Sequence, residues 1–356
     1  METIQAHDHL IYLADSNVDF FKDILTQKDY SSIFVLVDSN TETFCLPVFL
    51  SKFPLAAEIE VISIEAEEEN KHLQSCLGVW ETLSELGGDR KSLMINLGGG
   101  VVTDLGGFVA STFKRGIDFI NIPTTLLSMV DASVGGKTGV DLGSLKNQVG
   151  TICNPQAVII YPEFLETLPA NEYRSGYAEM LKHGLIQDLD YWHKLIDYKS
   201  ITTDQILTYI KYSVNIKQNV VSQDPKENSL RKILNFGHTL GHAIESHFLV
   251  DPNKSKLLHG EAIAIGMIME AYISSSLLGM LESERDEIKE TFTSIYPKVD
   301  ISPTDQNKII ELLTHDKKNS HGKIKFALLE KIGKPKWDVE VPTELFPLAF
   351  QYYLSA

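Results

Sequence analysis

The sequence contains the stretch Ser92-Leu93-Met94-Ile95-Asn96-Leu97-Gly98-Gly99-Gly100-Val101-Val102-Thr103-Asp104, in which an apolar run leads directly into three glycines. The run predicts a buried parallel strand, and the residues after the glycines predict a helix. Glycines at such a turn leave backbone N–H groups open to a pyrophosphate, which the positive end of a helix favours. The spacing is not G-x-G-x-x-G, so a plain tight turn remains an alternative to a nucleotide site.

Strand and helix patterns alternate around this stretch. Further strands are predicted at 33–37, 60–64, 117–122 and 157–161, and a helix at 68–86 that ends at Gly87-Gly88. This alternation predicts a Rossmann-like α/β domain with a mostly parallel sheet over residues 1–167. Residues 168–356 predict an α-helical second domain, with one strand candidate at 324–329. Its helices are expected at 171–188, 202–222, 230–248, 258–279, 283–296 and 304–314.

Composition limits the possible partners and the compartment. The chain has 356 residues, which suits two domains, and its net charge of −16 argues against nucleic acid or an anionic membrane as a partner. Cys45, Cys76 and Cys153 are scattered, which predicts reduced thiols in a cytoplasmic protein. The acidic N-terminus does not resemble a signal peptide, and no apolar stretch is expected to reach the roughly 20 residues that span a bilayer.

A second pattern, in the helical half, predicts a metal site. His238 and His242 are four residues apart, so both rings emerge on one face of a helix, and His259 and Glu179 lie at the edges of other predicted helices. Three protein ligands with open positions are typical of catalytic metals, and nitrogen and oxygen donors suit zinc or cobalt. The spacing does not decide which three bind, and hydrogen-bonded core histidines remain an alternative. His247 is expected at the surface.

One motif imitates a nucleotide hydrolase. The segment Val134-Gly135-Gly136-Lys137-Thr138 is similar to the end of a P-loop. That loop requires glycine where this chain has Asp131, and the residues before it do not fit the motif. A metal together with a dinucleotide instead indicates chemistry at an alcohol carbon, because the metal polarises the oxygen while the nicotinamide takes the hydride.

Taken together, these segments resemble the 3-dehydroquinate synthase family. The similarity covers nearly the whole chain and is dense between residues 96 and 262. It is carried by Lys114-Arg115-Gly116-Ile117, residues 122–127 and 130–140, Lys146-Asn147, residues 234–239 and His259-Gly260-Glu261-Ala262. The resemblance implies an N-terminal NAD-binding α/β domain and an α-helical domain for metal and substrate, the dehydroquinate synthase-like fold. Thr103 and Asp141 depart from the commonest family pattern, where glycine and asparagine are usual.

The resemblance also implies roles for single residues. The metal ligands would be Glu179, His238 and His259, with His242 as a polar or acid–base group beside the metal. Cofactor contacts would come from Glu68, Lys71, Gly99, Gly100, Val101, Val102, Thr103, Asp104, Thr124, Thr125, Lys137, Lys146, Phe164, Leu165, Glu166 and Thr167. Catalytic and substrate contacts would come from Asp131, Lys137, Asn147, Lys182, Lys217, Arg231, Asn235, one lysine of Asp316-Lys317-Lys318, and Arg115 across a homodimer interface.

The activity that the resemblance implies is the shikimate-pathway conversion of 3-deoxy-D-arabino-heptulosonate 7-phosphate to 3-dehydroquinate and phosphate, with NAD and Zn²⁺ or Co²⁺. This substrate carries a phosphate and a carboxylate, which need several cationic donors. In so acidic a chain, the lysines and arginines of these motifs are expected to face that substrate. The alternatives are another sugar phosphate cyclase or a metal-dependent polyol dehydrogenase of the same fold.

Overall fold

The computed structural model describes residues 1–6, 8–15, 17–55, 58–143, 145–319 and 324–355, with side chains left aside at 203–204 and 314–319. The chain divides into two compact units. The first comprises Met1–Pro169 and Ile206–Gln218, and the second comprises Ala170–Gln205 and Asn219–Ala356. The units are therefore not simply consecutive in sequence, because the middle of one long helix packs with the first unit.

A seven-stranded sheet forms the centre of the first unit, in the order β1-β2-β9-β6-β5-β3-β4. All neighbouring strands are parallel except β1 and β2. The five strands predicted from apolar runs are confirmed, whereas β1, β2 and the separate hairpin β7–β8 were not predicted. The strands are β1 Glu2–Gln5, β2 Leu10–Leu13, β3 Ile33–Asp38, β4 Ile59–Ile64, β5 Leu93–Gly98, β6 Asp118–Pro123, β7 Lys137–Leu142, β8 Leu145–Ile152 and β9 Ala157–Ile160.

Among the described residues, the α-helices that lie wholly in this unit are α1 Phe20–Thr26, α2 Ser39–Phe44, α3 Leu46–Lys52, α4 Leu73–Glu85 and α5 Gly100–Thr112. Helix α4 begins later than predicted, because a 3₁₀ turn at Glu68–Asn70 precedes it and the His72 side chain accepts the N–H of Ser75. Helix α5 is mostly buried against the sheet. The lysine of the P-loop look-alike starts strand β7 rather than a helix, so a P-loop is excluded.

The second unit is largely helical, with one β-hairpin. The predicted helix over 230–248 is wrong in its first part: Leu230–Asn235 is a 3₁₀ helix, and Gly237, with φ +80°, starts a new helix at His238. The strand candidate is confirmed, and its partner β11 was not predicted. The elements are α6 Ala170–Gln187, α7 Leu189–Leu195, α8 Thr203–Gln223, α9 His238–Val250, α10 His259–Leu278, α11 Glu282–Ile295, α12 Pro303–Asn319, β10 Lys325–Lys331, β11 Lys334–Glu340 and α13 Leu345–Leu354.

Glycines allow helices α9 and α10 to approach each other closely. A Cβ on Gly241 would lie 2.6 Å from Ile263 Cδ1, and one on Gly266 would lie 2.0 Å from the carbonyl oxygen of Gly237. Helix α6 is equally close to the start of α10, where a Cβ on Gly260 would lie 2.1 Å from the carbonyl oxygen of Ser175. Three helices are thus packed backbone to backbone at one place in the unit, and the predicted metal ligands lie on these helices.

Helix α10 corrects the expectation about apolar stretches. By length and composition, His259–Leu278 could cross a membrane, with a mean hydropathy of 1.3 over its most apolar window. The expectation that no such stretch exists was therefore wrong for this helix. Two thirds of that window, 67%, is buried inside the protein, as in the core helix of a folded domain. No other helix among the described residues meets the same criterion.

The expectation that His247 lies at the surface is also wrong. Its side chain is buried, and Nε2 lies 2.9 Å from Oδ1 of Asp305 on α12. The other oxygen of Asp305 accepts from Lys254 at 2.7 Å and from Ser302. The face of α9 that carries His247 therefore packs on α12. His247, Lys254 and Ser302 all contact the same Asp305 carboxylate.

Candidate active site

Glu179 lies between two of the predicted histidine ligands. Its carboxylate is fully buried, and Oε1 lies 3.4 Å from Nε2 of His238 and 3.5 Å from Nε2 of His259. The other oxygen, Oε2, forms an ion pair with Lys182, one helical turn further along α6. Within the described residues, Oε1 accepts no hydrogen bond. The close packing of α6, α9 and α10 thus brings one carboxylate and two imidazoles to one point.

The second nitrogen of each ring has its own partner. Nδ1 of His238 lies 3.1 Å from the carbonyl oxygen of Phe236, and Nδ1 of His259 lies 3.5 Å from Oε2 of Glu245. Both partners are acceptors, so they favour the tautomer with the proton on Nδ1. That tautomer leaves the lone pair on Nε2, the atom that faces Glu179. Glu245 was not predicted from the sequence.

His242 completes the group. Its ring lies 5.1 Å from that of His238 and 5.7 Å from that of His259, measured between centroids. One nitrogen from each of these three histidines lies within 4.8 Å of the others, so His242 is also close enough to act as a ligand. It is the most exposed of the three, as is suitable for a group that exchanges protons with a bound molecule.

The pKa values of His238 and His259 shift in opposite directions. Burial alone would raise the pKa of Glu179, but the Lys182 ammonium and His238 hold it well below its usual range. Burial and Lys182 lower the pKa of His238. Burial would also lower the pKa of His259, but the Glu245 and Glu179 carboxylates together outweigh it and raise that pKa to about 10.

The donor set fits a divalent cation. Two imidazole nitrogens lie 3.4 and 3.5 Å from one carboxylate oxygen, which accepts no hydrogen bond within the described residues. Such ligands suit zinc or cobalt, and three protein ligands leave further positions open for a substrate. Metal binding would compete with protonation of these rings.

The predicted substrate residues Arg231 and Asn235 lie on the 3₁₀ segment just before α9. Asp224 accepts the backbone N–H groups of Asn228, Ser229 and Arg231, at 3.0, 2.7 and 3.1 Å. The Asn235 amide donates to Glu227 at 2.8 Å. The guanidinium of Arg231 donates to the carbonyl oxygen of Pro225 at 2.8 Å. Two acidic residues that the sequence analysis missed therefore shape the loop that carries these donors.

In the first unit, the glycine turn connects β5 to α5. The N–H of Thr124 donates to the carbonyl oxygen of Gly98 at 3.0 Å, and a Cβ on Gly99 would lie 3.0 Å from Thr125 Cγ2. The turn thus lies against the end of β6, and side chains there would fill the space next to the helix N-terminus. Val101, Val102 and Thr103 follow in the first turn of α5, and the Thr103 hydroxyl bonds back to the carbonyls of Gly99 and Gly100. A bare turn before a 13-residue helix fits the pyrophosphate of a dinucleotide.

A buried lysine connects several of the other predicted cofactor residues. Nζ of Lys71 lies 2.7 Å from Asp104 and 2.7 Å from Asn147, and 4.0 Å from Glu68. Lys146 lies 3.5 Å from the same Glu68 carboxylate. Burial alone would lower the pKa of Lys71, but the Asp104 and Glu68 carboxylates outweigh it and raise that pKa. Burial raises the pKa of Asp104 itself.

Asp141, one of the departures from the family pattern, supports this cluster. Its Oδ1 accepts the N–H of Asn147 at 2.7 Å, and its own N–H donates to the carbonyl oxygen of Lys71 at 2.8 Å. Asn147 has φ +53°, so its left-handed backbone needs such support. Asp141 therefore contacts two predicted site residues, Asn147 through its carboxylate and Lys71 through its backbone N–H.

The remaining predicted residues are more scattered. Lys217 forms an ion pair with Asp131 at 2.6 Å, and Lys137 is exposed at the start of β7. Arg115 is exposed at the end of the 3₁₀ turn Phe113–Arg115, with φ +71°. The side chains of Lys317 and Lys318 lie outside the described residues.

The segment Pro162–Thr167 forms a 3₁₀ helix. The side chain of Phe164 is buried against Phe53 and Tyr161, so it packs in an aromatic cluster rather than facing solvent. Its neighbours Leu165, Glu166 and Thr167 are partly or fully exposed.

Known proteins resemble this chain along most of its length. Residues 61–175 match the family model described as 3-dehydroquinate synthase N-terminal, and residues 176–319 match its C-terminal counterpart. The 3-dehydroquinate synthase of Parabacteroides distasonis is 40% identical over 334 residues, which cover 93% of this chain and 94% of that protein.

Solved structures resemble the whole chain. A 2-deoxy-scyllo-inosose synthase, crystallised with carbaglucose-6-phosphate, NAD⁺ and Co²⁺, has a TM-score of 0.84 and 26% identity, covering 98% of this chain and 99% of its own. The 2-epi-5-epi-valiolone synthase of Streptomyces hygroscopicus, with NAD⁺ and Zn²⁺, has a TM-score of 0.83 at 23% identity, covering 99% and 98%. A probable glycerol dehydrogenase of Sinorhizobium meliloti reaches 0.61 at 15%, covering 94% of each chain.

The fold is that of the sugar phosphate cyclases. The dehydrogenase shares only the fold, at a lower TM-score than either cyclase. The chain belongs to the 3-dehydroquinate synthase family.

Proposed function

We propose that this chain is an enzyme that converts 3-deoxy-D-arabino-heptulosonate 7-phosphate to 3-dehydroquinate and inorganic phosphate. The reaction comprises transient oxidation, β-elimination of phosphate, reduction and intramolecular aldol closure, so NAD is recovered unchanged. The observation that carries the proposal is the buried Lys182 ammonium against Glu179, beside the Nε2 atoms of His238 and His259. A cation-binding cluster with an adjacent ammonium suits a substrate that has both hydroxyl and anionic groups.

In the second unit, Glu179, His238 and His259 would hold Zn²⁺ or Co²⁺. When bound, such a cation supplies Lewis-acid polarisation of a substrate hydroxyl, and NAD supplies a reversible hydride acceptor. Lys182 then binds an anionic or hydroxyl group next to Glu179. His242, the exposed ring of the group, takes or returns a proton at the substrate.

The loop before α9 would bind the acidic ends of the substrate. The guanidinium of Arg231 can hold a phosphate or a carboxylate through two parallel hydrogen bonds. Asn235 donates to a neutral oxygen, and its bond to Glu227 fixes which way its amide points. Asp224 keeps the loop closed while these groups bind, because it accepts three backbone N–H groups.

The first unit would bind NAD. The proposed pyrophosphate site is the turn Gly99-Gly100-Val101-Val102-Thr103, bordered by Thr124 and Thr125, and the Lys71 cluster with Glu68, Asp104 and Lys146 would contact the ribose end. Lys137 and the segment Phe164-Leu165-Glu166-Thr167 complete the proposed contacts. Asp131, Asn147 and Lys217 are assigned to substrate, with Lys217 as a second group that handles protons.

We further propose that the enzyme is a cytoplasmic homodimer in which Arg115 reaches the partner's site. Its exposure leaves the guanidinium accessible for such a contact. The cysteines support a reducing compartment, because Cys45, Cys76 and Cys153 are free and burial raises the pKa of each thiol. The NAD-binding domain would cover residues 1–167, and the domain that binds metal and substrate would cover residues 168–356.

The test is an assay of inorganic phosphate released from the sugar acid phosphate with a catalytic amount of NAD. Phosphate should appear in large molar excess over NAD, and a chelator should stop the reaction until Zn²⁺ or Co²⁺ is added back. Steady accumulation of NADH without phosphate would instead identify a polyol dehydrogenase. Release of phosphate only from a different sugar phosphate would identify another cyclase.

A further inference from the structure

We propose that Glu245 is a positioning residue of the metal centre: its carboxylate holds the Nδ1–H of His259 and thereby presents Nε2 to the cation. The inference rests on the metal site of the proposed function, and it adds a residue to which none of the motifs above assigns a role. It is carried by the position of Glu245 on α9, by its burial and by the two contacts of the His259 ring.

Glu245 lies on the same face of α9 as His238 and His242. It lies seven residues after His238 and three after His242, so all three side chains emerge from one face of α9. Its side chain is only 6% exposed. Burying a carboxylate is unfavourable unless it has a partner, so a residue at this position needs a donor close by.

The Glu245 carboxylate contacts the His259 ring. Its Oε2 lies 3.5 Å from Nδ1 of His259, while Nε2 of the same ring lies 3.5 Å from Oε1 of Glu179. The ring is therefore held between two carboxylates, one at each nitrogen. The carboxylate on α6 belongs to the ligand group, and the carboxylate on α9 acts on the opposite side of the ring.

His259 needs a side-chain acceptor because of its position at the start of a helix. His238 donates to the carbonyl oxygen of Phe236 in its own segment. His259 is the first residue of α10, where the backbone presents N–H donors rather than acceptors: the N–H groups of Leu258 and Gly260 donate to Glu261 and Ser175. The acceptor has to come from another element, and α9 is packed closely enough to supply it. An anionic acceptor also makes Nε2 a stronger ligand than a carbonyl acceptor does.

The experiment measures metal affinity in the metal-free full-length protein rather than turnover. Glu245→Gln keeps the volume and one acceptor oxygen, and Glu245→Ala removes both. Each variant is titrated with Co²⁺, followed by its visible absorption, and with Zn²⁺ in competition. We expect the Kd for Co²⁺ to rise about 10- to 100-fold in Glu245→Ala, less in Glu245→Gln, with a changed absorption spectrum.

The matched control is Asp305→Asn. Asp305 is also a buried carboxylate paired with a histidine on α9, His247, at 2.9 Å. Its replacement should lower stability without changing the Kd for Co²⁺. If Asp305→Asn weakens Co²⁺ binding as much as Glu245→Gln, the effect is one of general destabilisation and the proposal fails.

A double-mutant cycle with His259→Ala tests whether Glu245 acts through that ring. In the His259→Ala background, Glu245→Gln should weaken Co²⁺ binding by less than 2-fold, about the noise of such cycles. Equal effects in both backgrounds would overturn the proposal, because the carboxylate would then act on the cation through space alone. Wild-type affinity in both Glu245 variants would overturn it too. Failure of the wild-type protein to bind Co²⁺ would instead refute the metal site of the proposed function.

Discussion

Replacing Gly266 by alanine tests whether the approach of α9 to α10 creates the metal centre. The added Cβ would lie 2.0 Å from the carbonyl oxygen of Gly237 and 2.8 Å from the N–H nitrogen of Gly241. An ordinary contact begins at 3.4 Å, so α9 has to move by about 1.4 Å, the difference between 3.4 and 2.0 Å. Both obstacles are backbone atoms, and no side-chain rotation can relieve the clash.

The consequence for the site follows from the sequence order. Gly237 immediately precedes His238, so the shift displaces one proposed ligand relative to Glu179 and His259. Metal–ligand distances tolerate only about 0.2 Å, and a displacement of about 1 Å in an active site can lower kcat/KM about 100-fold. Overpacking costs about 1–3 kcal/mol of stability, partly offset by the roughly 1 kcal/mol that alanine contributes over glycine in a helix.

The assay combines urea unfolding of the metal-free protein with Co²⁺ titration and phosphate release. Gly78→Ala is the matched control, because Gly78 lies within α4 and a Cβ there would meet nothing within 4 Å. The control should gain up to about 1 kcal/mol of stability and keep its activity. If Gly266→Ala retained the wild-type Kd for Co²⁺ and wild-type kcat/KM, the close helix contact would not be what positions His238.

Three further predictions concern single side chains. His238→Ala should strongly weaken Co²⁺ binding and abolish phosphate release, and wild-type Co²⁺ affinity with normal turnover would refute its role as a ligand. Arg231→Ala should lower kcat/KM about 10- to 100-fold, because the loss corresponds to one hydrogen bond to a charged group. Its circular dichroism spectrum should be unchanged. Wild-type kinetics in this variant would show that Arg231 does not bind the substrate. Asp305 accepts from Lys254 and His247, and although burial alone would raise its pKa, these donors hold it well below the usual value. Its depressed pKa stabilises the fold above about pH 4, and that contribution is lost as the pH falls further. Asp305→Asn should therefore be less stable than wild type by about 2 kcal/mol at pH 7, with the difference narrowing in unfolding curves below pH 4; a constant difference would refute the assignment.

The sequence predicted the central strands because their signal is local. A run such as that of β5 is apolar on both faces, and only a strand covered on both sides buries it completely. The two-stranded elements were missed for the opposite reason. The exposed strand β8 and the strand β11 alternate too weakly to stand out, and their pairing depends on partners that the pattern does not reveal. The break at Gly237 was missed because a single glycine in an apolar helical pattern does not by itself predict a left-handed residue.

The candidate site was predicted from residue types, whereas its geometry was not. The spacing of His238 and His242 places their rings on one face, but their distance from Glu179 depends on how three helices pack. Glu245 could have been noticed, since it lies on the same face of the predicted helix as both histidines. What the spacing could not provide is its contact with His259, because that contact depends on the register between α9 and α10.

Lys182 and Glu245 each contact one of the proposed ligands, and they have opposite effects on the negative charge offered to the metal. Lys182 is paired with one oxygen of Glu179, so it reduces the negative charge that this carboxylate offers to a cation. Glu245 faces the far side of the His259 ring and supplies negative charge instead. The pKa shifts run in the same directions: burial together with Lys182 lowers the pKa of His238, while Glu245 and Glu179 raise that of His259 against the effect of burial. Two imidazoles that lie almost equally far from Glu179 are therefore unequal donors. A cation held there would be bound by one ring that an anionic acceptor makes the stronger ligand, and three protein ligands would leave positions open for a substrate hydroxyl, which is what a catalytic rather than a structural site requires.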